Sequence, residues 1–190
     1  MSIPTAGLSI VSLLESEFRA RRPTDEFDFK LSNAAELVES LEKTVTLYLY
    51  RVSTNPVLRH VEHSQTATDR ADGIRRRSLS LELRYLLTVW SKSAETEQVV
   101  LSECMSILDQ HSILAGDLVD STYPMAPELA LKVLPDSLSN EDLLRLWDGL
   151  TPQYRLSVPY VVRTIRLEGR AQPARPPVTE EIKRWTRRVP

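Results

Sequence analysis

The sequence predicts a mixed α/β domain of the α+β class, in which several strands pair around one long central strand. Residues 78–90 form that strand, because apolar and polar side chains alternate along it, as they do when a strand has one buried face. The apolar positions are Leu79, Leu81, Leu83, Tyr85, Leu87 and Val89. Leu86 and Trp90 break the alternation, so we expect the far end of the strand to be covered on both faces. Three other stretches can pair with this strand, and two helical stretches can cover it.

The composition is that of one globular domain with a tail. The chain has 190 residues, of which 42% are hydrophobic and 26% are charged, which is enough for one core. A net charge of -2 gives no electrostatic reason to bind nucleic acid or an anionic membrane. No apolar run is long enough for a bilayer span, and we expect no signal peptide. A single cysteine, Cys104, excludes an internal disulfide and fits a reducing cytosol.

Three segments have the pattern of amphipathic helices. Residues 4–20 begin at Pro4 and are stopped by Pro23. Their expected buried face consists of Leu8, Val11, Leu14 and Phe18, widened by Ile10 and Leu13. Residues 94–110 follow the capping residue Ser93. Their buried stripe consists of Val100, Cys104, Ile107 and Leu108. A third helix follows the capping-box pattern of residues 139–142. It carries Leu143, Leu146, Trp147 and Leu150.

Four further segments read as strands or turns beside the central strand. Residues 27–31 alternate, and residues 33–36 can form a capped turn of helix. Residues 44–52 are apolar on both faces, which indicates a strand contacted on both sides. Leu129, Leu131 and Val133 alternate and are closed by Pro135.

The last strand is expected from about residue 155 to residue 167. Its apolar phase changes between Val162 and Ile165, which indicates a bulge. Pro159 has no backbone N–H to donate, so we expect the strand to lie at an edge or to be paired on one side there.

Three segments do not fit a packed element. Residues 59–77 are polar and predict a long loop or exposed hairpin, and residues 112–127 predict irregular structure. Residues 169–190 form a Pro/Arg-rich tail beyond a domain of residues 1–168. Within that tail, Val178, Ile182 and Trp185 have helical spacing among basic residues. The tail is therefore either solvated, which its composition favours, or a peptide that docks on a neighbour as a short helix.

No catalytic constellation appears among the chemically active residue types. His60 and His63 are three apart, but only His111 remains to complete a metal site, and a solvated loop is favoured. Cys104 lies on an apolar stripe, where cysteine behaves as a small hydrophobe. Residues 75–77, three arginines, either contact phosphate or form an exposed basic loop, and the second is favoured. We therefore expect no enzyme, no cofactor and no catalytic, cofactor-binding or metal residues.

Three motifs in order resemble one family across roughly residues 4–168. They are residues 47–59 (LYLYRVSTNPVLR), residues 81–90 (LELRYLLTVW) and residues 143–150 (LLRLWDGL) with the following Pro152, Tyr154, Arg155, Ser157, Val158 and Tyr160. The sequence resembles the tail terminator, or cap, proteins of contractile injection systems, which are phage-tail-like particles such as anti-feeding prophages.

The resemblance implies a structural role and a fold. Such proteins form a ring, typically a hexamer, on the last layer of the inner tube, where they end tube growth and meet the last sheath layer. The implied fold is a single mixed, largely antiparallel sheet flanked by helices, as in phage tail terminators. The implied partners are other copies of the chain, the tube protein and the sheath protein, without a small-molecule substrate or membrane contact. The implied place is a phage-tail-like particle that is assembled in the cytoplasm and then either stays in the cell or is released from it.

The surfaces for these partners are hypotheses at this stage. The candidates are the loop of residues 53–77, the segment of residues 112–127 and the strand edge around Pro159. The alternative function is a neck or tail-completion protein of a contractile-tailed phage that contacts nucleic acid through its arginine cluster and basic tail. The near-zero net charge disfavours that alternative.

Overall fold

A computed structural model of the chain describes residues 3–38, 41–54, 78–123, 130–150 and 153–168, without the side chains of residues 78–80 and 164–168. These residues form helices α1 (Ile3–Arg21), α2 (Ala94–Gln110) and α3 (Asn140–Asp148). The strands are β1 (Asp28–Ser32), β2 (Thr44–Thr54), β3 (Ser78–Trp90), β4 (Ile113–Leu114), β5 (Leu131–Pro135) and β6 (Ser157–Glu168). Short 3-10 turns span Ala34–Glu36 and Gly116–Leu118.

The strands form one six-stranded sheet in the order β1-β2-β3-β6-β5-β4. β1 runs parallel to β2, and every other neighbouring pair is antiparallel. The predicted mixed, largely antiparallel sheet flanked by helices is therefore confirmed. β3 lies between β2 and β6, which gives it the central place that its length and alternation predict.

The larger core lies between one face of the sheet and the helices α1 and α2. On β3 this face is made by the alternating residues Leu81, Leu83, Tyr85, Leu87 and Val89, all buried. On α2 it is made by the predicted stripe together with Leu101. The Arg21 guanidinium at the end of α1 lies 2.9 Å from the Glu103 carboxylate, which ties the two helices together. No helix among the described residues is long and apolar enough to cross a membrane.

Helix α1 buries a face that is rotated from the predicted one. Leu8 and Val11 are only half-buried, whereas Ala6, Gly7 and Ser9 are buried beside the expected residues Ile10, Leu13, Leu14 and Phe18. A Cβ atom at Gly7 would lie 2.6 Å from Leu31 and 3.3 Å from the Tyr85 hydroxyl. The small residues let the helix backbone approach the sheet closely, so they face it in place of the larger side chains.

A smaller core lies on the opposite face of the sheet, at the Trp90 end of β3. Helix α3 covers it with Trp147, whose ring centroid is 6.2 Å from that of Trp90. Both indole N–H groups are satisfied, since Trp90 donates to the Thr46 hydroxyl at 2.9 Å and Trp147 donates to the Ser157 hydroxyl at 3.0 Å. The double coverage that Leu86 and Trp90 predict is confirmed by this core.

Both neighbours of β3 contain a bulge. The ladder pairs Leu83 with Val162 but Leu81 with Ile165, so β6 has one extra residue there. This is the bulge that the phase change in β6 predicts. A second bulge was not predicted and lies in β2, where the register shifts between Leu49 and Arg51.

Of the two alternatives predicted for Pro159, an edge strand is wrong, whereas ladder pairing on one side at this residue is confirmed. β6 is an interior strand, flanked by β3 and β5. Pro159 pairs with Leu86 of β3, and the β5 ladder ends one residue away at Pro135 and Tyr160. Just beyond that ladder, the Asp136 N–H donates to the Pro159 carbonyl at 2.9 Å. Pro159 is tolerated because its contact on the β5 side uses only its carbonyl as an acceptor and requires no backbone N–H.

The segment expected to be irregular, residues 112–127, contains β4 and the second 3-10 turn. β4 has only two residues, which is too short for a pattern of alternation to reveal. The loop of residues 59–77 and the tail of residues 169–190 lie outside the described residues, as does Leu129, and the division of the chain at residue 168 stays a prediction.

Trp147→Ala should lower the free energy of unfolding by about 3–5 kcal/mol, because it empties the centre of the smaller core. Leu144→Ala on the same helix is the matched control, since its side chain is 50% exposed and its loss should change stability by no more than about 0.5 kcal/mol. Urea denaturation followed by circular dichroism measures both. Equal losses in the two variants would contradict this account of the core.

Candidate assembly surfaces

Cys104, the one thiol considered as a nucleophile, is fully buried in the larger core. Burial, with a smaller contribution from the neighbouring Glu103, raises the pKa of its thiol to about 12. Because the thiolate is the reactive form, Cys104 is chemically inert at neutral pH. It is a packing residue, as its place on an apolar stripe predicts.

Of the three histidines considered as metal ligands, His111 alone lies within the described residues. His111 is the C-cap residue of α2 and donates its backbone N–H to the Ile107 carbonyl. His60, His63 and the arginines of residues 75–77 lie outside the described residues. Within the described residues, no group of three His, Cys, Asp or Glu side chains could hold a metal ion.

A cluster of charged and polar side chains occupies the face of the sheet beyond the smaller core. Arg84 pairs with Asp136 and with Glu82, and Arg163 reaches Glu82 at 3.3 Å. The Tyr50 hydroxyl lies 3.4 Å from the Asp136 carboxylate, and burial together with that carboxylate raises the pKa of Tyr50. Opposite charges compensate one another in this cluster, so it stabilises the sheet and offers no excess charge to a partner.

The two ends of the sheet present different surfaces. On the β1 side, where β1 and β2 begin, is an open groove with a polar lining, which we call the β1 groove. Its lining residues are Arg19, Pro23, Asp25, Glu26, Phe27, Asp28, Glu42 and Lys43. At the other end, β4 and the segment after it expose Ile113, Leu118 and Tyr123, with exposed fractions of 57%, 39% and 41%. We call these three residues the β4 strip. It falls within the predicted contact segment of residues 112–127, and the β1 groove was not predicted.

A second apolar surface is built on helix α3 and the extended segment before β6. Leu144 lies one helical turn before Trp147, and the Trp147 ring centroid is 6.1 Å from that of Tyr154. Leu156 follows two residues later. We call Leu144, Tyr154 and Leu156, which are 50%, 48% and 39% exposed, the α3 patch. Single exposed apolar side chains are ordinary, but three that adjoin a rigid aromatic pair form a surface suited to a protein partner.

The sequence profile described as the Pvc16 N-terminal domain matches residues 7–181. The chain belongs to this family. The membership confirms the resemblance to the terminators of contractile injection systems that the three sequence motifs carry.

Two solved structures share the fold of this Pvc16 N-terminal domain. One is described as the sheath/tube terminator of an extracellular contractile injection system, PVC, in the extended state, with 21% identity and a TM-score of 0.62. The other is described as the tube-terminating cap of the anti-feeding prophage, with 15% identity and a TM-score of 0.55. They are matched over 100% and 96% of this chain but over only 65% and 62% of their own lengths. The chain thus spans less than two thirds of either neighbour. A search of curated proteins gave no match.

The buried thiol of this Pvc16-family domain should make its stability fall at alkaline pH. The thiol has an ordinary pKa of 9.0 and is held protonated to about pH 12 in the fold. Between these values the folded state binds a proton that the unfolded state has lost, so the free energy of unfolding falls as pH rises. The free energy of unfolding should fall by about 1 kcal/mol from pH 9 to pH 10, and the slope approaches about 1.4 kcal/mol per pH unit above pH 10.

Cys104→Ala should flatten that part of the curve, although burial also raises the pKa of Tyr160 to about 12 and lowers stability above pH 10. Urea denaturation at half-unit pH steps gives the slope. An unchanged slope in the variant would show that another group is responsible.

Asp136→Asn should destabilise this domain by about 1–3 kcal/mol, because it removes the nearer of the two carboxylates that pair with Arg84 on a largely buried face. The Asp136 and Arg84 side chains are 9% and 23% exposed. Asp25→Asn is the matched control, since Arg22 and Asp25 are 36% and 38% exposed and surface pairs contribute about 0–1 kcal/mol. Thermal unfolding compares them, and a larger loss in Asp25→Asn would refute the assignment.

Proposed function

We propose that this chain is the tube terminator of a contractile injection system. Six copies form a ring on the distal end of the inner tube, stop its growth and anchor the last layer of the contractile sheath. The observation that carries the proposal is family membership over residues 7–181, supported by a fold shared across the whole chain with a sheath/tube terminator and a tube-terminating cap.

A closed ring needs two different surfaces on opposite sides of each subunit. Each copy contacts the next by a heterologous interface, and rotation closes the series. The sheet of this chain offers such a pair, because β1 and β4 lie at its opposite ends. The β4 strip of one copy is therefore a candidate to meet the β1 groove side of the next. Exposed Ile113 and Tyr123 supply apolar area for the centre of that contact, and the charged groove supplies a polar rim.

Edge geometry also limits unwanted growth. A long exposed strand edge would recruit further strands, whereas short edge strands with charged side chains resist such pairing. β4 has two residues, and β1 has five residues that include Asp28 and Lys30. Subunits with such edges have little tendency to pair strand to strand outside the proposed ring contact, which favours a closed ring over open-ended association.

The proposed role is structural, and its partners are macromolecules. They are five further copies of the chain, the last ring of tube subunits and the last ring of sheath subunits. The subunit assembles onto the particle in the cytoplasm and remains a component of it. This role uses shape and surface complementarity, so it involves no small-molecule substrate.

Ile113→Asp should block ring closure and capping, because it places a charge at the most exposed position of the β4 strip. Particles made with this variant as the sole copy should lose the six-fold density at the distal end and show a broadened length distribution. The ring content should fall at least about tenfold, since a desolvated unpaired charge costs more than 1.4 kcal/mol. Negative-stain imaging of purified particles measures both quantities.

Met105→Asp is the matched control, because Met105 is 39% exposed on α2 and lies away from the sheet ends. It should leave ring content and particle length unchanged. Particles of normal length and with intact ends in the absence of the whole chain would overturn the proposed function, whereas normal rings with Ile113→Asp would remove only the β4 strip from it.

A further inference from the structure

The α3 patch has the properties of a docking surface whose side chains are held in place by the packing beneath them. Trp90, Trp147 and Tyr154 form a series of edge-to-face rings that runs from the smaller core to the surface. Arg155 lies over the Trp90 ring at 5.6 Å and pairs with Glu97 at 3.3 Å, which fixes the segment that carries Tyr154. A partner on this patch would therefore meet side chains that lose little conformational freedom on binding.

The surroundings of the patch are acidic. On α3, Glu141 and Asp148 lie three residues before and four residues after Leu144, so both share its side of the helix. Asp142 adds a third carboxylate in the first turn, against a single basic residue, Arg145, which pairs with Glu141. An apolar patch with a carboxylate border suits an occupant with apolar anchors and basic flanks.

The chain itself contains one segment with that character. Residues 178–188 place Val178, Ile182 and Trp185 at helical spacing, with Lys183, Arg184, Arg187 and Arg188 around them. Residues 169–190 carry six basic and two acidic side chains, a net charge of +4, whereas residues 1–168 have a net charge of -6. Glu180 and Glu181 precede the basic residues, the order that complements a helix dipole.

We propose that residues 178–188 of one copy dock as an amphipathic helix on the α3 patch of a neighbouring copy. Trp185 and Ile182 cover Leu144 and Tyr154, and the basic residues face Glu141 and Asp148. This is the helix-in-groove mode of peptide recognition. The inference rests on the proposed ring in one respect, namely that the ring supplies the neighbour.

The reach of the intervening link favours a neighbour over the same chain. Glu168 at the end of β6 pairs with Ser78, whereas the α3 patch lies near Trp90, at the other end of β3. The thirteen residues of β3 span about 40 Å. The link from residue 168 to residue 178 extends over at most about 33–36 Å. Docking on the same chain would therefore require an almost fully extended and straight link, a constraint that docking on a neighbouring copy avoids.

A complementation experiment on full-length chains tests the contact. One copy carries Lys183→Arg and keeps its α3 carboxylates. The other keeps Lys183 and carries Glu141→Gln, Asp142→Asn and Asp148→Asn. The two copies bear different affinity tags, are co-expressed and are treated with a carbodiimide, which joins an amine to a carboxylate in direct contact. Only docking between copies can join Lys183 to α3, and mass spectrometry identifies the linked peptides.

The expected result is a linked peptide that joins Lys183 of one tagged copy to Glu141 or Asp148 of the other. Trp185→Ala in the copy with Lys183 should reduce its yield at least about tenfold. Arg175→Ala, in the link, should leave the yield unchanged. Thermal unfolding of both variants is the control, since an unchanged melting temperature in Trp185→Ala shows that a loss of the cross-link is not a folding defect.

Two results would overturn the inference. In the first, the wild-type chain forms cross-links between Lys183 and α3, but the two tagged copies never do. Residues 178–188 would then dock on their own chain. A six-fold ring without any such cross-link would show that the segment does not dock on α3, and the terminator function would stand. Failure of the proposed terminator function is measured separately. It would appear as particles of normal length with intact ends in the absence of this chain, whatever the cross-linking result.

Discussion

The burial of the Trp90 end of β3 on both faces is the constraint on which the rest of this structure depends. One face packs under α1 and α2, while Leu86 and Trp90 on the other face need their own cover. Helix α3 is too short to be stable alone, and it exists because Trp147 fills that second core. The same helix then exposes Leu144 and its acidic neighbours. The exposed apolar surface of α3 is thus a consequence of how this helix covers the second face of the central strand.

Most of the fold could be predicted because its elements follow simple periodicities. The alternation of β3, the stripe of α2 and the phase change in β6 each correspond to a feature of the structure. The errors have physical reasons. The face of α1 is set by how closely Gly7 lets the backbone approach Leu31, which a count of large apolar residues does not capture. Pro159 can lie in an interior strand because its carbonyl accepts a hydrogen bond from the Asp136 N–H. β4 could not be predicted because two residues are too few to show an alternation of apolar and polar side chains.

The candidate site could be predicted much less well, because a surface has no residue signature comparable to a catalytic group. The segment of residues 112–127 was identified by its irregularity, and it does contain the β4 strip. The α3 patch was missed, since Leu144 reads as one more apolar residue of an amphipathic helix until its exposure is known. The β1 groove was missed because it joins residues 19–28 with residues 42–43 only in the folded chain. The family resemblance supplied the functional hypothesis that the chemistry of single residues could not.

The two bulges beside β3 have a mechanical consequence. From Trp90 to Leu81 the middle strand advances nine residues while β2 advances ten, and from Thr88 to Leu81 it advances seven while β6 advances eight. Each flanking strand therefore has to fit a longer contour beside a shorter one, and bulges sharpen local twist. The added twist belongs to the hydrogen-bonded register, so the sheet cannot lose it without breaking ladder pairs. Any contact surface that extends across β2, β3 and β6 therefore has a fixed local twist.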